Sequence, residues 1–111
     1  GHIAVIADRD QIIAVSGGMK SLLGKEISKE LEEKMNGRES VMASKGDKGF
    51  ISITGDIKEE FLHEAVTPII CEGDIIGAVI LVSTSDKGKM SEVEQKMIQS
   101  AAGFLGRQME Q

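Results

Sequence analysis

The sequence predicts an α+β fold: an antiparallel sheet of about five strands with helices on both faces. Three observations point there. Stretches rich in β-branched residues come in hairpin-like pairs, IAVIA with QIIAV near the start and HEAVTPII with IIGAVILV further on. Two segments with helical spacing, one after Ser28 and one after Ser91, stand apart from those pairs. Residues 75–82 (IIGAVILV) carry no polar side chain, so something must cover each face of the sheet there.

The elements follow in order. ADRDQ is turn-like and joins the first two strands. MKSLL reads as a single helical turn stopped by Gly24. Ser28 is an N-cap with Glu30 in the first turn, Leu31 and Met35 share the apolar face, and Gly37 is the C′ glycine that ends the helix. ISIT, residues 51–54, reads as a short strand within lysine- and glycine-rich loops that form either a lid or a disordered connection. Between the last two strands Gly73-Asp74 fits a type II′ turn, which pairs Glu72 with Ile75. That register sets His63, Ala65 and Thr67 on one face beside Ala78 and Ile80. Ser91 and Glu94 form a capping box for the terminal helix.

Composition narrows the function. The 111 residues suit one domain, taken as 1–111, large enough to bury a core without staples. A content of 41 % hydrophobic and 28 % charged residues excludes a disordered chain. With three Phe and no Tyr or Trp, the core must come from Ile, Val, Leu, Met and Ala. A net charge of −5 without aromatic platforms argues against direct nucleic-acid binding by this domain. The single cysteine, Cys71, permits no intrachain disulfide and fits a reducing cytoplasm. The longest apolar run, residues 75–82, is far short of the roughly 20 residues needed to span a membrane. No signal peptide is recognisable. A start at Gly1 rather than Met reads as an excised fragment, with Gly1 and His2 either native or a tag remnant.

Catalytic and metal chemistry find little support. SGGMKS lacks the glycine spacing of a phosphate loop and reads as a tight turn. His63 and Cys71 lie in one strand, roughly 26 Å apart at about 3.3 Å per residue, too far for a nucleophile–base pair. No residues have metal-ligand spacing, and no cofactor can be named. The aspartates fall in turns, where they bond locally. What remains is a sheet face of small and polar residues, His63, Ala65, Thr67, Ala78 and Ile80, suited to a small ligand. The competing reading is that these small residues let a helix pack closely.

The terminal helix carries more apolar residues than one stripe needs. Val93, Met97, Ala101, Phe104 and Leu105 suffice to cover the sheet, with Met90 just before the cap. Ile98, Ala102, Leu105, Gly106 and Met109 then form a candidate dimer face, on which Ala102 and Gly106, four apart, admit a second helix closely.

Two stretches resemble known families. AVTPIICEGDIIGAVILVSTS resembles the signature of a GAF domain. SEVEQKMIQSAAGFLGRQMEQ, with ADRDQIIAVSG, resembles the C-terminal part of a sporulation regulator of the AbrB-type transcription-factor family, over nearly the whole chain and least from Val41 to Glu60. The resemblance implies a cytoplasmic regulatory domain with DNA contacted only by an N-terminal swapped-hairpin domain outside this chain. It implies dimers or tetramers, and a small-molecule effector between the sheet and its covering elements. Against that pattern, the helix that precedes the first strand in GAF domains reads as missing or truncated here. Neither the cyclic-nucleotide motifs nor the phytochrome chromophore cysteine has a match, and GAF-type methionine-sulfoxide reductases use several cysteines where this chain has one. The expectation is therefore a ligand-sensing, homo-oligomeric module that is not an enzyme. A purely structural oligomerisation module is the alternative.

Overall fold

A computed structural model describes residues 2–55 and 61–109. The elements run β1 (Ile3–Ala7), β2 (Ile12–Val15), a 3₁₀ turn (Lys20–Leu22), α1 (Lys29–Asn36), β3 (Val41–Ser44), β4 (His63–Cys71), β5 (Asp74–Ser83) and α2 (Glu92–Gln108). The five strands form one antiparallel sheet in the order β2-β1-β5-β4-β3. The fold is thus α+β, as the strand and helix signals require. The lysine- and glycine-rich stretch departs from expectation. The strand lies at Val41–Ser44, whereas ISIT contributes only an isolated bridge from Thr54 to Ile27.

Local chemistry explains the junctions. In the β1–β2 turn the Asp8 carboxylate accepts the amides of Asp10 (2.7 Å) and Gln11 (2.8 Å), the aspartate turn that ADRDQ suggests. Ser28 caps α1 by accepting the Leu31 amide at 3.0 Å, and its hydroxyl donates to Ser52 O at 2.6 Å, so the cap also ties α1 to the segment beneath it. At the other end, the Arg38 amide bonds Met35 O and the Glu39 amide bonds Lys34 O, each at 3.0 Å. That is a Schellman closure, and its left-handed residue is Arg38 (φ 58°); Gly37, expected at C′, is right-handed at φ −77°.

The β4–β5 connection sets the register. Both central residues, Glu72 (φ 51°) and Gly73 (φ 87°), are left-handed, as in a type I′ turn. Cys71 therefore pairs with Asp74 and Ile70 with Ile75. A bulge at Ile76 then shifts the ladder by one, to Ile69↔Gly77, Thr67↔Val79 and Ala65↔Leu81. The expected II′ turn differs by two residues and the bulge restores one. The net slip of one residue exchanges the faces.

Two cores result. On one side of the sheet, Leu22, Leu31, Met35, Ile51, Ile53 and Phe61 pack on Val5, Val66, Ile80 and Val82. On the other, Ile98 and Ala102 of α2 pack on Ala65, Ile69, Val79 and Leu81. A Cβ on Gly106 would stand 2.1 Å from Ile70 O, so α2 touches the backbone of β4. Gly103 on the same helix is different, since its added Cβ would meet only the Arg107 guanidinium, at 3.3 Å.

The two glycines should therefore respond oppositely to alanine. Gly106→Ala forces the helix off the strand and should cost about 1–3 kcal/mol. Gly103→Ala needs only a side-chain movement and should gain up to about 1 kcal/mol from helix propensity. Urea unfolding of both variants checks this, and equal effects would refute the assignment of Gly106 to the contact.

Candidate functional site

The second helix has one face on the sheet and one that none of the described residues covers. Ile98 and Ala102 are each 3 % exposed, Gly106 is buried with them, and Leu105 packs at their margin. Val93, Met97 and Phe104 are 63, 57 and 55 % exposed. At 100° per residue these three fall within about 40° around the helix axis, so they form one outward stripe. Other large apolar side chains at the surface, such as Ile13 and Leu23, lie on other elements and need no explanation.

The two faces of the helix are thus the reverse of the sequence expectation. Of the candidate dimer residues, Ile98, Ala102 and Gly106 bury themselves within the chain, Leu105 is half-buried there, and only Met109 is exposed. The physical reason is the close approach of helix and strand. Small residues spaced four apart let a helix near any backbone, and here the backbone belongs to β4. Val93, Met97 and Phe104, expected to cover the sheet, lie on the opposite side of the helix once Gly106 meets the strand.

The N-terminus of α2 is held from three directions. Ser91 accepts the Val93 amide while Glu94 accepts the Ser91 amide at 2.7 Å and its hydroxyl, completing the capping box. The His63 ring bonds Ser44 Oγ through Nδ1 (2.8 Å) and Asp86 O through Nε2 (3.1 Å). His2 Nε2 lies 3.2 Å from Gly88 O. Both histidines of the chain thereby fasten the loop that leads into α2.

The candidate ligand residues do not share a face. Ala65 belongs to the α2-side core, and Ala78 and Ile80 to the α1-side core. Thr67 is buried with its hydroxyl 3.4 Å from Ser40 Oγ, and His63 stands at the end of the sheet. The one-residue slip described above separates them. The α1 side is filled by its own side chains, including Glu64, whose carboxylate accepts the Ile51 amide at 2.8 Å while only 1 % exposed. Open to solvent beside the N-terminus of α1 is a groove of about 510 Å³ bordered by Arg9, Asp10, Glu26, Lys29 and Glu32. It carries charges of both signs. Arg9 is anchored there through a 2.9 Å bond to Ile75 O. No sequence motif marks this groove, because its residues meet only through the fold.

Among the described residues no three potential metal ligands cluster, and no helix is long and apolar enough to cross a membrane. His63 and Cys71 occupy opposite ends of β4, in keeping with their separation in sequence.

Comparison with known proteins places this architecture. The family described as "Stage V sporulation protein T C-terminal, transcription factor" matches residues 1–110. The chain belongs to this family. Stage V sporulation protein T of Bacillus subtilis (strain 168) is 46 % identical over 112 residues, covering 100 % of the chain. The chain spans 61 % of that relative's length. Solved structures similar in fold include a type II free methionine-R-sulfoxide reductase from Thermoplasma acidophilum, with TM-score 0.67, 13 % identity, and 95 % of this chain and 76 % of that one covered. A GAF domain/HD domain protein from Geobacter sulfurreducens has TM-score 0.66 and 19 % identity, with 95 % and 77 % covered. The fold is GAF-like, and identities this low carry no chemistry across.

The capping box gives a pH dependence. Hydrogen bonds from the side chain and backbone of Ser91 hold the Glu94 carboxyl below its ordinary value. A pKa lowered by folding contributes stability above the unfolded pKa, and that contribution is lost as pH falls through the lowered folded value. The stability gap between the wild type and Glu94→Ala should be full near neutrality and narrow below about pH 4.5. Denaturant unfolding from about pH 7 down to 3 measures it, and a constant gap would contradict the bonding.

Proposed function

We propose that residues 1–111 act as the regulatory and assembly domain of a cytoplasmic sporulation transcription factor. The domain pairs with a second copy through the outward face of α2. The exposed stripe of Val93, Met97 and Phe104 carries this reading. Covering one such side chain recovers about 1.5–3 kcal/mol, so a contiguous stripe of three favours a partner surface over water. The dimer residues inferred from sequence are accordingly replaced by Val93, Met97 and Phe104. DNA would be contacted by another part of the longer protein, in keeping with the net charge of −5 here.

A small-molecule effector is the second reading, favoured by the groove beside α1. Cations and carboxylates along one rim suit a small ligand that carries both charges. Such a ligand would act by favouring one arrangement of the assembled domains over another. No catalytic role is proposed.

The pairing is tested by sedimentation of the purified domain over a range of concentrations. The wild type should be dimeric at micromolar concentration. Phe104→Glu and Met97→Glu should each weaken association at least about tenfold, with helix content unchanged. Ala14→Glu, on β2, serves as a control that leaves association intact. A monomeric wild type, or dimers indifferent to both helix variants, would refute the assembly role.

A further inference from the structure

Residues 50–55, between β3 and β4, cross the α1 side of the sheet without joining it. Thr54 makes an isolated bridge to Ile27, and none of the six belongs to a strand of the five-stranded sheet. The segment is nonetheless core. Ile51, Ile53 and Thr54 are 6, 1 and 2 % exposed, and both isoleucines pack with Val66 and Ile80. Its backbone is tied on two sides. Towards the entry of α1, the Ser28 amide donates to Ile53 O at 2.9 Å, the Ser28 hydroxyl to Ser52 O at 2.6 Å, and the Gly55 amide to Glu26 O at 3.3 Å. Towards the sheet, the Ile51 amide donates to Glu64 Oε2 at 2.8 Å.

Three features mark this segment as separable from the sheet. The bond from the sheet comes from a side chain: Glu64, 1 % exposed, gives up hydration to accept the Ile51 amide and recovers it when the segment leaves. Gly49 and Gly55 flank the buried residues, and a side chain at either would meet nothing within 4 Å, so neither glycine serves close packing. Small residues at the ends of an element are where a hinge absorbs backbone change. Third, no residue of the segment belongs to the α2-side core. We infer that residues 50–55 are a strap that leaves the α1 side of the sheet as one unit, latched to the sheet through the Glu64 carboxylate, while the strands and α2 stay in place.

Burial of Ile51 and Ile53 draws the strap down, and rehydration of Glu64 opposes it. Opening bares Val66 and Ile80 with the Glu64 carboxylate beside them. Ala65, Ile69, Val79 and Leu81 keep their contacts with α2 throughout. Glu64 and Ala65 are neighbours in β4 and face opposite ways, so the latch and the seat of the helix alternate along one strand. The domain thus carries a cover that moves on one face of the sheet without disturbing the helix on the other.

Native-state hydrogen exchange of the 111-residue domain, followed by NMR in low urea, tests this. The amides of Ser28, Ile51 and Gly55 should exchange through one opening with a common, shallow urea dependence, at least about tenfold faster than the best-protected amides of β4 and β5. Glu64→Ala should speed these three about tenfold further, and Glu64→Gln, which keeps an acceptor oxygen, should speed them less. A clamp gives an independent reading. Ile27 and Thr54 lie opposite each other between the bonds Ser28 to Ile53 and Gly55 to Glu26, a pairing whose α-carbons stand close enough for a disulfide. On a Cys71→Ser background, oxidised Ile27→Cys with Thr54→Cys should slow the three amides towards the strand rate, and reduction should restore them. Exchange of the three at the strand rate, with the same steep urea dependence, would show that the segment leaves only on global unfolding and would overturn the strap. Different urea dependences among the three, or an Ile51 amide indifferent to the clamp, would overturn its movement as one unit. Unchanged exchange in Glu64→Ala would remove Glu64 as the latch.

Discussion

A helix can lie no closer to a sheet than the atoms between them allow. Where α2 crosses β4, those atoms are reduced to the α-hydrogen of Gly106 against the carbonyl of Ile70. That contact fixes the rotation of the helix about its own axis. Once Gly106 faces the strand, Ile98 and Ala102 follow it into the core, and Val93, Met97 and Phe104 have only solvent or another molecule to face. The helix has enough apolar residues to bury either face, so the choice between its inner and outer sides rests on volume rather than hydrophobicity.

The same economy of space divides the sheet into two cores. Ala65 and Ile69 receive the helix, while Val66 and Ile80 receive α1 and the segment around Ile51 and Ile53. Both sets alternate along the same two strands, so their separation depends on the register of β4 with β5. One bulge at Ile76 holds that register. Removing it would move every inward residue of β5 to the opposite core, which neither α1 nor α2 could accommodate. The division also packs the α1 side with its own side chains, and the charged groove beside α1 lies at the rim.

Sequence patterns read the strands and helices well because burial repeats along them. The fully apolar run at residues 75–82 announced a strand covered on both sides, and Ser91 with Glu94 announced the start of α2. Two kinds of information were not legible. The first is a single-residue register: Glu72 takes the left-handed conformation usually left to glycine or asparagine, so the pattern favoured a turn one position further on. The second is which partner a small residue serves. Ala102 and Gly106 report a close approach, and a strand and a second helix produce the same spacing. The charged groove beside α1 was hidden for a third reason, since Arg9, Glu26 and Glu32 come from separate elements. The strand at Val41–Ser44 leaves little pattern in the sequence, being four residues at a sheet edge.

Arg38 shows how a local misfit can join distant parts of a chain. Its left-handed backbone costs it about 1 kcal/mol relative to glycine. The conformation lets its guanidinium donate to Gly73 O at 2.5 Å, on the turn between β4 and β5. A helix of eight residues has little stability of its own. With its C-terminus fastened to that turn and its N-cap fastened to Ser52, α1 cannot fray from either end without breaking a tertiary bond. The helix and the hairpin tip are thereby tied into one unit. Through Ile70, one residue before Cys71, that unit adjoins the strand on which α2 rests. Local unfolding on the α1 side thus has a short covalent path to the helix on the other face of the sheet.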